Sequence, residues 1–463
     1  MAREELESLE NFDVTIVGGG IVGAGLLREQ SMHNVKSLLL DQADFNSQTS
    51  QSSSKMLHGG IRYLENMDFA LVFEALREKN LWLKITPHLT KELPFFLPVY
   101  KDSKWPLFFM RIGLFLYDLL SLFQNTPHKV FSKKDALKQI PGIKEKGLTG
   151  CGMYFDGIVD DSKLGLECIY DALTSEKSKA LNYKKVVAVN KSSDDRYIVN
   201  YQDVFSKEVT QVVTKHIIFA TGPFTDQVLN KLNIEWTPKV LPSKGSHIWL
   251  NEDSLPITKP MVIQTRDQRI IFVIPQNKMI LIGTTEIPIS ASSEMLNIKP
   301  SRDEIDYILN AVNEYFPNAK LTESNIISSY SGVRPLVKSS ESSSKTSRHH
   351  KIFEPQKNMH VIVGGKYTTF RVMAQELNKI IFKRLNVKLD KELSKLPMRK
   401  QSVIVSGLTE EITIDKINQI LRDELVKTKD DLINRRLSIP NIDQIESPEI
   451  KSYIKELNLE SIR

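Results

Sequence analysis

A strand, a glycine-rich turn and the start of a helix follow one another near the beginning of the chain, in the segment DVTIVGGGIVGAG. Residues 14–17 (VTIV) are apolar except for Thr15, and Gly18, Gly20 and Gly23 complete the pattern GxGxxG as the chain turns. Glycine suits such a turn because it is tight, because pyrophosphate must reach N–H groups at the helix N-terminus, and because helix and strand pack closely. The segment therefore predicts a Rossmann-like unit that binds a dinucleotide.

Two further features indicate which dinucleotide this unit binds. Asp41 ends the apolar run Ser37–Leu40, roughly 20 residues after the glycines, where a carboxylate can bind the adenosine ribose hydroxyls and disfavours a 2′-phosphate. The pieces HIIFATGPF and HVIVGGKYTTF place two more apolar runs ending in glycine in the middle and towards the end of the chain. Three separated pieces of backbone around one dinucleotide indicate a bound flavin; the alternative is a glycine-rich turn without a ligand.

Length and composition exclude several classes of protein. The chain has 463 residues and is 41% hydrophobic, enough for two or three domains with substantial cores. Its two cysteines, Cys151 and Cys168, lack metal-site spacing, so we expect no metal and a reduced, cytoplasmic environment. The first residues contain no apolar segment for secretion or anchoring. A net charge of +6 permits attraction to anionic substrates or an anionic membrane surface but does not indicate nucleic-acid binding.

The pattern of apolar residues predicts the organisation of the rest of the chain. Residues 184–211 alternate apolar and polar positions, which predicts antiparallel strands. Residues 241–286 are again β-rich and predict an antiparallel sheet over a substrate pocket. Residues 339–347 (SSESSSKTS) predict a mobile polar loop, and beyond Pro397 short helical patterns predict a small appended domain.

Two helical segments could contact a membrane. The longest apolar stretch, residues 106–123, is interrupted by Arg111 and Asp118 and is too short to span a bilayer, so it is either a core helix or an interfacial one. Residues 371–388 predict an amphipathic helix with apolar residues on one side and basic residues, among them Arg371, on the other. That side is either a solvated face or a surface for anionic lipid.

Three clusters carry chemistry. Residues 49–65 (TSQSSSKMLHGGIRYLE) combine hydroxyls and glycines with His58, which can exchange protons near neutral pH, and Arg62, which can bind an anion bidentately. In SKGSHIWL, His247 is either a structural histidine or a catalytic one. In YSGVRPL, Arg334 precedes a proline, so its backbone is held and its guanidinium can be aimed, although a surface salt bridge is the alternative.

Taken in order, these segments resemble the FAD-dependent glycerol-3-phosphate dehydrogenases, within the amino-acid-oxidase-like flavoprotein group. The segments that stand in the family's order include SSKMLHGGIRYLE, IVDDSKL, FATGPF, KGSHIWL, LIGTTE, YSGVRPL and GGKYTTFR. The most distinctive are SSKxxHGGxRYLE and SGVRPL, and the resemblance covers roughly residues 11–385. It implies an α/β fold with a Rossmann-like FAD-binding domain, an antiparallel β-sheet substrate domain and a small α-helical C-terminal domain.

The resemblance also implies domain boundaries. The FAD-binding parts would span residues 11–80, 150–235 and 350–385, the substrate-domain parts residues 81–149 and 236–349, and the C-terminal domain residues 397–463. That last domain is shorter than is usual in the family and keeps only a faint echo at DDLINRRL.

The family's functional residues carry over where its motifs match. Residues expected to bind non-covalent FAD are Gly18, Gly20, Gly23, Asp41, Thr49, Ser50, Ser53, Ser54, Lys55, His58, Gly59, Gly222, Gly365, Lys366, Tyr367 and Thr368. Residues expected to bind substrate are Arg62, Tyr63, His247, Asp267, Arg269, Arg334 and Arg348, with the arginines Arg62, Arg334 and Arg348 on a phosphate. The catalytic candidates are His247 or His58 as base, and Lys366 as a fixed cation near the developing alkoxide.

The implied reaction is oxidation of sn-glycerol 3-phosphate to dihydroxyacetone phosphate, with electrons passed to a membrane quinone. The implied protein is a homodimer at the cytoplasmic membrane surface, held by lipid or by an anchoring partner. The alternatives are a glycerol-3-phosphate oxidase that uses oxygen, an amino-acid or sarcosine oxidase, and a flavin-binding protein without catalysis. The arginine cluster argues against the last two, because an amino-acid oxidase needs one carboxylate anchor and an amine site.

Overall fold

The computed structural model describes residues 8–338, 350–403 and 411–460, apart from the side chain of Asn66. The strands in this part of the chain are β1 Glu10–Val17, β2 Ser37–Leu40, β3 Met56–Leu57, β4 Thr90–Tyr100, β5 Lys129–Ser132, β6 Leu148–Val159, β7 Ser178–Leu181, β8 Lys184–Lys191, β9 Tyr197–Asp203, β10 Val209–Phe219, β11 Val240–Asn251, β12 Met261–Gln264, β13 Ile270–Gln276, β14 Met279–Gly283, β15 Ile287–Pro288, β16 Ile326–Val337, β17 Lys351–Gln356 and β18 Met359–Val363. The α-helices are α1 Ile21–Met32, α2 Phe69–Ile85, α3 Leu107–Leu120, α4 Lys133–Gln139, α5 Asp161–Leu173, α6 Thr225–Lys231, α7 Arg302–Tyr315, α8 Phe370–Leu385, α9 Ile414–Asp423 and α10 Pro448–Glu456.

The first sheet is built on the predicted strand–turn–helix unit. Its parallel strands lie in the order β18, β10, β1, β2, β7, and β17 pairs antiparallel with β18 at one edge. The predicted antiparallel strands are confirmed, since β8 and β9 form a hairpin that pairs with the first half of β10. Helices α1, α5 and α8 cover one face of the sheet, where Leu27, Ile169 and Leu377 are buried with Val14 and Ile16 of β1.

The second sheet is mostly antiparallel. Its strand order is β15, β11, β14, β13, β12, β4, β6, β3, with β16 paired to β11 and β5 paired to β6. Ile308 and Val312 of α7 pack into its core, which confirms the predicted α/β fold class with an antiparallel second sheet. One boundary differs from the expectation: residues 150–159 lie in this sheet, because β6 forms its hydrogen bonds with β4 and β5.

The C-terminal part has a small core of its own. Helices α9 and α10 and a π-helical turn, Asp431–Arg436, bury Ile417, Leu432, Leu437 and Ile454 against one another. Its standing as a separate domain stays a prediction. The expected loop at residues 339–347 lies outside the described residues.

The two candidate membrane helices have opposite surroundings. In α8, Phe370, Leu377 and Ile381 pack into the core of the first sheet. The expectation that Arg371 lies on a basic outer side is wrong, because its guanidinium is buried and binds Glu78 of α2 at 2.6 and 2.8 Å. In α3, by contrast, a row of aromatic and aliphatic side chains faces outward. Among the described residues no helix is both long and apolar enough to cross a membrane.

The close contact between α1 and the end of β1 at Gly23, which we call the crossing, predicts how a substitution there changes the stability of the protein. A Cβ atom on Gly23 would lie 1.9 Å from the carbonyl oxygen of Gly18, whereas one on Gly113 of α3 has nothing within 4 Å. We expect Gly23→Ala to lower the free energy of unfolding by about 1–3 kcal/mol or more, and Gly113→Ala to raise it by about 0.5–1 kcal/mol. Urea-induced unfolding measures both. Equal stability of Gly23→Ala and the unmodified chain would show that the crossing relaxes without cost.

Candidate functional site

A cavity of about 670 Å³ lies where the two sheets meet, a volume typical of cofactor and ligand sites. The carboxyl ends of β1, β10 and β18 border it on one side, and β11 and β16 border it on the other. Most of the predicted site residues line it, namely Gly18, Gly20, Asp41, Thr49, Ser50, Ser53, Ser54, His58, Arg62, Tyr63, Gly222, His247, Arg334, Gly365, Lys366, Tyr367 and Thr368.

The three glycines of the first turn have different surroundings. Gly18 has a φ of +107°, and a Cβ there would lie 2.6 Å from the carbonyl oxygen of Ala220, so backbone strain and packing both require glycine. Gly23 does not line the cavity and serves the contact between β1 and α1. Gly20 faces the cavity, where the nearest atom to a Cβ would be Ser50 Oγ at 3.1 Å. A phosphate can therefore approach the backbone at Gly20.

Asp41 is held at the cavity edge by backbone donors. Its Oδ2 accepts a hydrogen bond from the Gly19 N–H at 2.7 Å, and its Oδ1 accepts one from the Ala43 N–H at 2.8 Å. Burial raises the pKa of Asp41 to about 6, although both N–H groups act in the opposite direction. Each carboxylate oxygen keeps a further lone pair. The arrangement fits a carboxylate that accepts ribose hydroxyls.

The segment after the turn folds back over α1. The Ser50 Oγ accepts a hydrogen bond from the Ile21 N–H at 2.9 Å, and the Thr49 hydroxyl donates to the Val333 carbonyl at 2.7 Å. Lys55 does not line the cavity: its Nζ binds Asp161 Oδ1 at 2.5 Å. Gly59 also lies outside the lining. It is packed closely against α2 and α3, since a Cβ there would meet side-chain atoms of Leu76 and Tyr117 at 2.4 Å.

The C-terminal piece closes the cavity from the other side. Gly365 has a φ of +85°, and the hydroxyl of Thr368 accepts a hydrogen bond from the His58 N–H at 3.3 Å. The Nζ of Lys366 lies 3.9 Å from the centre of the Tyr63 ring. Gly222, in the middle piece, has a φ of +54°, and a Cβ there would have nothing within 4 Å. Open glycine backbone in separate pieces is what a bound dinucleotide requires, so these residues fit FAD.

Arg334 is fixed at the second-sheet side of the cavity. Its Nη2 donates to Thr284 Oγ1 at 3.0 Å and its Nη1 to the Thr285 carbonyl at 3.4 Å. Gly245 makes room for it, since a Cβ there would lie 2.5 Å from Nη2. Arg62, on the short helix Ile61–Asn66, donates to the Tyr63 hydroxyl at 3.3 Å and lies over its ring.

Sequence reasoning missed a buried carboxylate behind Arg334. The Oε1 of Glu304, at the start of α7, accepts hydrogen bonds from Thr285 Oγ1 and Ser246 Oγ, both at 2.7 Å, and its Oε2 lies 2.6 Å from Lys244 Nζ. Burial acts to raise the pKa of Glu304, but the bond from Lys244 and the other donors lower it to about 2. The only local signal was the capping box of Ser301 and Glu304, which predicts a helix start and not this contact.

The two histidines differ. His247 is buried, its Nε2 lies 2.9 Å from Ser54 Oγ, and its ring stacks on Tyr330 at 4.9 Å. Burial, together with the charges of Arg334 and Lys55, lowers the pKa of His247 to about 3. At neutral pH the imidazole of His247 is therefore uncharged. His58, by contrast, lines the cavity beside Thr368 and is only partly buried.

Two predicted substrate residues, Asp267 and Arg269, are not brought into this cavity. Asp267 binds the Thr265 and Tyr307 hydroxyls, and Arg269 donates to the carbonyl of Glu286, so both are engaged at the turn between β12 and β13. Neither lines the cavity, and their contact with substrate stays a prediction. Arg348 lies outside the described residues. Within residues 8–338, 350–403 and 411–460, no group of three or more histidine, cysteine and carboxylate side chains could hold a metal ion.

Comparison with known proteins agrees with this geometry. Residues 13–376 match the family described as "DAO: FAD dependent oxidoreductase". The aerobic glycerol-3-phosphate dehydrogenase of Staphylococcus aureus is 31% identical over 412 residues, covering 86% of this chain and 71% of that protein. Glycerol-3-phosphate dehydrogenase 2 of Mycobacterium tuberculosis is 35% identical over 370 residues, covering 79% of this chain and 62% of that protein. The mitochondrial glycerol-3-phosphate dehydrogenase of Bos taurus is 33% identical over 407 residues, covering 83% of this chain.

This chain covers 54% of the bovine protein's length. The glycerol-3-phosphate dehydrogenase of Bacillus halodurans, solved in complex with FAD, superposes with a TM-score of 0.68 at 25% identity over 84% of this chain and 68% of that chain. The resemblance found in the sequence and the predicted cofactor, FAD, are thereby confirmed. The chain belongs to the family of FAD-dependent oxidoreductases.

Proposed function

We propose that the protein oxidises the secondary alcohol of sn-glycerol 3-phosphate to dihydroxyacetone phosphate. The observation that carries this proposal is the position of Arg334, whose guanidinium is held by Thr284 and Thr285 in the wall of the cavity that also contains Gly20 and Asp41. A fixed guanidinium beside a flavin site is suited to an anionic substrate, and phosphate takes its bidentate hydrogen bonds well. The names of the similar proteins support the same substrate.

Arg62 and Arg334 bind the substrate phosphate in this proposal. Both line the cavity, and each is restrained by a neighbour: Arg62 by Tyr63 and Arg334 by Thr284. Binding energy at the phosphate orients C2 of the substrate and so lowers the entropic part of the barrier. When bound, FAD supplies the acceptor for the hydride that leaves C2. Lys366, whose ammonium lies over the Tyr63 ring, stabilises negative charge developing on O2.

His58 takes the proton of the O2 hydroxyl in this proposal. A general base works best when its pKa lies near the operating pH. With a pKa of about 3, His247 is a weak proton acceptor, and its Nε2 is already engaged with Ser54. In this proposal His247 is a neutral positioning group that acts through its contact with Ser54, and His58 is the histidine of the cavity that accepts the proton.

Anaerobic addition of sn-glycerol 3-phosphate tests the reaction, because substrate oxidation must bleach the bound flavin. In Arg334→Lys, a single ammonium replaces the guanidinium and cannot make its two parallel hydrogen bonds to a phosphate. We therefore expect kcat/KM to fall about 30-fold to several thousandfold with FAD still bound. The matched control is Arg266→Lys, on an exposed arginine paired with Glu314 outside the cavity. No bleaching by the unmodified protein would reject the substrate, and unchanged kinetics in Arg334→Lys would reject the role of the arginine. Peroxide formation in air would identify an oxidase instead.

Exchanging each histidine for glutamine distinguishes base from positioning group. We expect His58→Gln to lower kcat by about 10²–10⁴ and to abolish the fall in activity at acidic pH, since no base is left to protonate. His247→Gln removes one neutral hydrogen-bonding group and should cost no more than about tenfold. Flavin absorbance measures whether each variant retains FAD. A larger fall in kcat in His247→Gln than in His58→Gln would assign the base to His247.

We also propose that the protein works at the surface of the cytoplasmic membrane and passes electrons to a quinone there. The support is the exposed side of α3, which we call the α3 face: Phe108, Phe109, Ile112, Phe115 and Leu119. Phe108 is 68% exposed, Phe109 53% and Phe115 50%. Apolar patches of this kind on a soluble surface mark interaction sites. Helix α3 also contacts the helix Ile61–Asn66, which carries Arg62, so a membrane on this face lies near the cavity.

Sedimentation with anionic vesicles tests the α3 face. We expect Phe108→Ser combined with Phe115→Ser to abolish binding, because apolar area that enters the lipid interface is lost. Val209→Ser, on a valine that is 55% exposed at the start of β10, is the control. Lys379→Glu with Lys383→Glu should have no effect, since the apolar side of α8 is buried in the core. Vesicle binding that survives the α3 change would reject this surface. If the protein self-associates with increasing concentration and the same double substitution abolishes this, the α3 face is instead the interface of the predicted homodimer.

A further inference from the structure

The loop of residues 42–51 lies between the cavity and the C-terminal part. One side of this loop borders the cavity through Gln42, Ala43, Asn46, Ser47, Gln48, Thr49 and Ser50. The other side carries Asp44, which points away from the cavity lining and is fully buried. What holds Asp44 therefore determines where the cavity-facing backbone of the loop lies.

Two arginines of the π-helical turn Asp431–Arg436 bind Asp44. The Nε of Arg435 lies 2.5 Å from Asp44 Oδ2. The guanidinium of Arg436 donates to both carboxylate oxygens, with Nη2 at 3.1 Å from Oδ1. All three side chains are buried. These contacts join residues almost four hundred positions apart.

Further hydrogen bonds prevent the arginines from turning away. Arg435 also donates to Asp431 Oδ1 at 2.7 Å and to Gln51 Oε1, at the end of the loop, at 3.2 Å. Arg436 donates to the carbonyl of Glu424 at 2.8 Å. The amide of Asn182 bridges Asp44 Oδ1 and the Leu425 carbonyl, at 3.0 and 2.9 Å. The loop is thus tied to the C-terminal part at both of its ends.

The charges in this cluster depend on one another. Burial alone would raise the pKa of Asp44, but the guanidiniums of Arg436 and Arg435 outweigh it and lower that pKa. Removing one partner from a buried ion pair leaves an uncompensated charge, which is far more costly than breaking an exposed pair. The aspartate side chain is short, so Asp44 cannot reach water without moving the backbone of the loop.

We propose that the C-terminal part is a clamp for FAD, in which Arg435 and Arg436 are positioning residues that hold residues 42–51 in the FAD-binding conformation. This inference rests on the proposed position of FAD in the cavity. When the loop is already ordered, FAD binding causes no loss of conformational entropy in it. The clamp therefore raises FAD affinity without touching the cofactor. The chemistry of the loaded enzyme does not depend on it.

FAD titration of the apoprotein tests the clamp. For Arg435→Gln and for Arg436→Gln we expect the Kd of FAD to rise about tenfold to a hundredfold. The control is Arg28→Gln in α1. It also removes a contact between a buried arginine and an aspartate, here the partly buried Asp171 at 2.7 Å, but Arg28 does not touch the loop. Its Kd should stay within about twofold of the unmodified protein. Hydrogen exchange in the apoprotein should become faster in residues 42–51 only in the first two variants, and kcat at saturating FAD should be unchanged in both.

A third variant tests the clamp if the arginine variants do not fold. Asn182→Ala removes a single bridging amide, so it should also raise the Kd of FAD, but to a smaller extent. Folded variants that bind FAD as tightly as the unmodified protein, with unchanged exchange in the loop, would overturn the clamp. Failure of the unmodified apoprotein to bind FAD would instead reject the FAD site itself, and with it this inference.

Discussion

Asp161, whose carboxylate is buried, joins two segments of the chain that line the cavity. Asp161 begins α5, and its Oδ2 accepts hydrogen bonds from the Ser53 N–H at 3.1 Å and the Ser53 hydroxyl at 2.7 Å. Its Oδ1 binds Lys55, and its backbone carbonyl accepts the hydroxyl of Tyr367. Burial raises the pKa of Asp161, and the ammonium of Lys55 counters it. One residue, through its carboxylate and its backbone carbonyl, thus joins the segment after the glycine turn to the segment that closes the cavity.

Sequence could predict the parts of the site that are local in the chain. The spacing of Gly18, Gly20 and Gly23 follows from one turn, and Asp41 follows from the end of the next strand. It could not predict that Lys55 and Gly59 face away from the cavity, because their partners Asp161 and Tyr117 are set by the packing of α5 and α3. A motif places residues in a segment, but only packing decides which side of the segment each one faces.

The same limit explains why the support of Arg334 was invisible in the sequence. Thr285 follows β14 and Arg334 lies on β16. These two strands pair with opposite edges of β11, so the two residues meet across β11. Glu304, at the start of α7, accepts a hydrogen bond from the Thr285 hydroxyl. None of these residues is within ten positions of another, so no short pattern links them. Strand register, which is a property of the whole sheet, creates the contact.

Amphipathic helices show a different limit, because an apolar face does not say what covers it. Both α3 and α8 have the pattern of a surface helix. For α8 the cover is the first sheet, and Glu78 of α2, 293 positions away, neutralises Arg371 inside the protein. For α3 the described residues leave the aromatic side exposed. Since a large exposed apolar patch is unfavourable in water, our proposal places the membrane on the α3 face and not on α8.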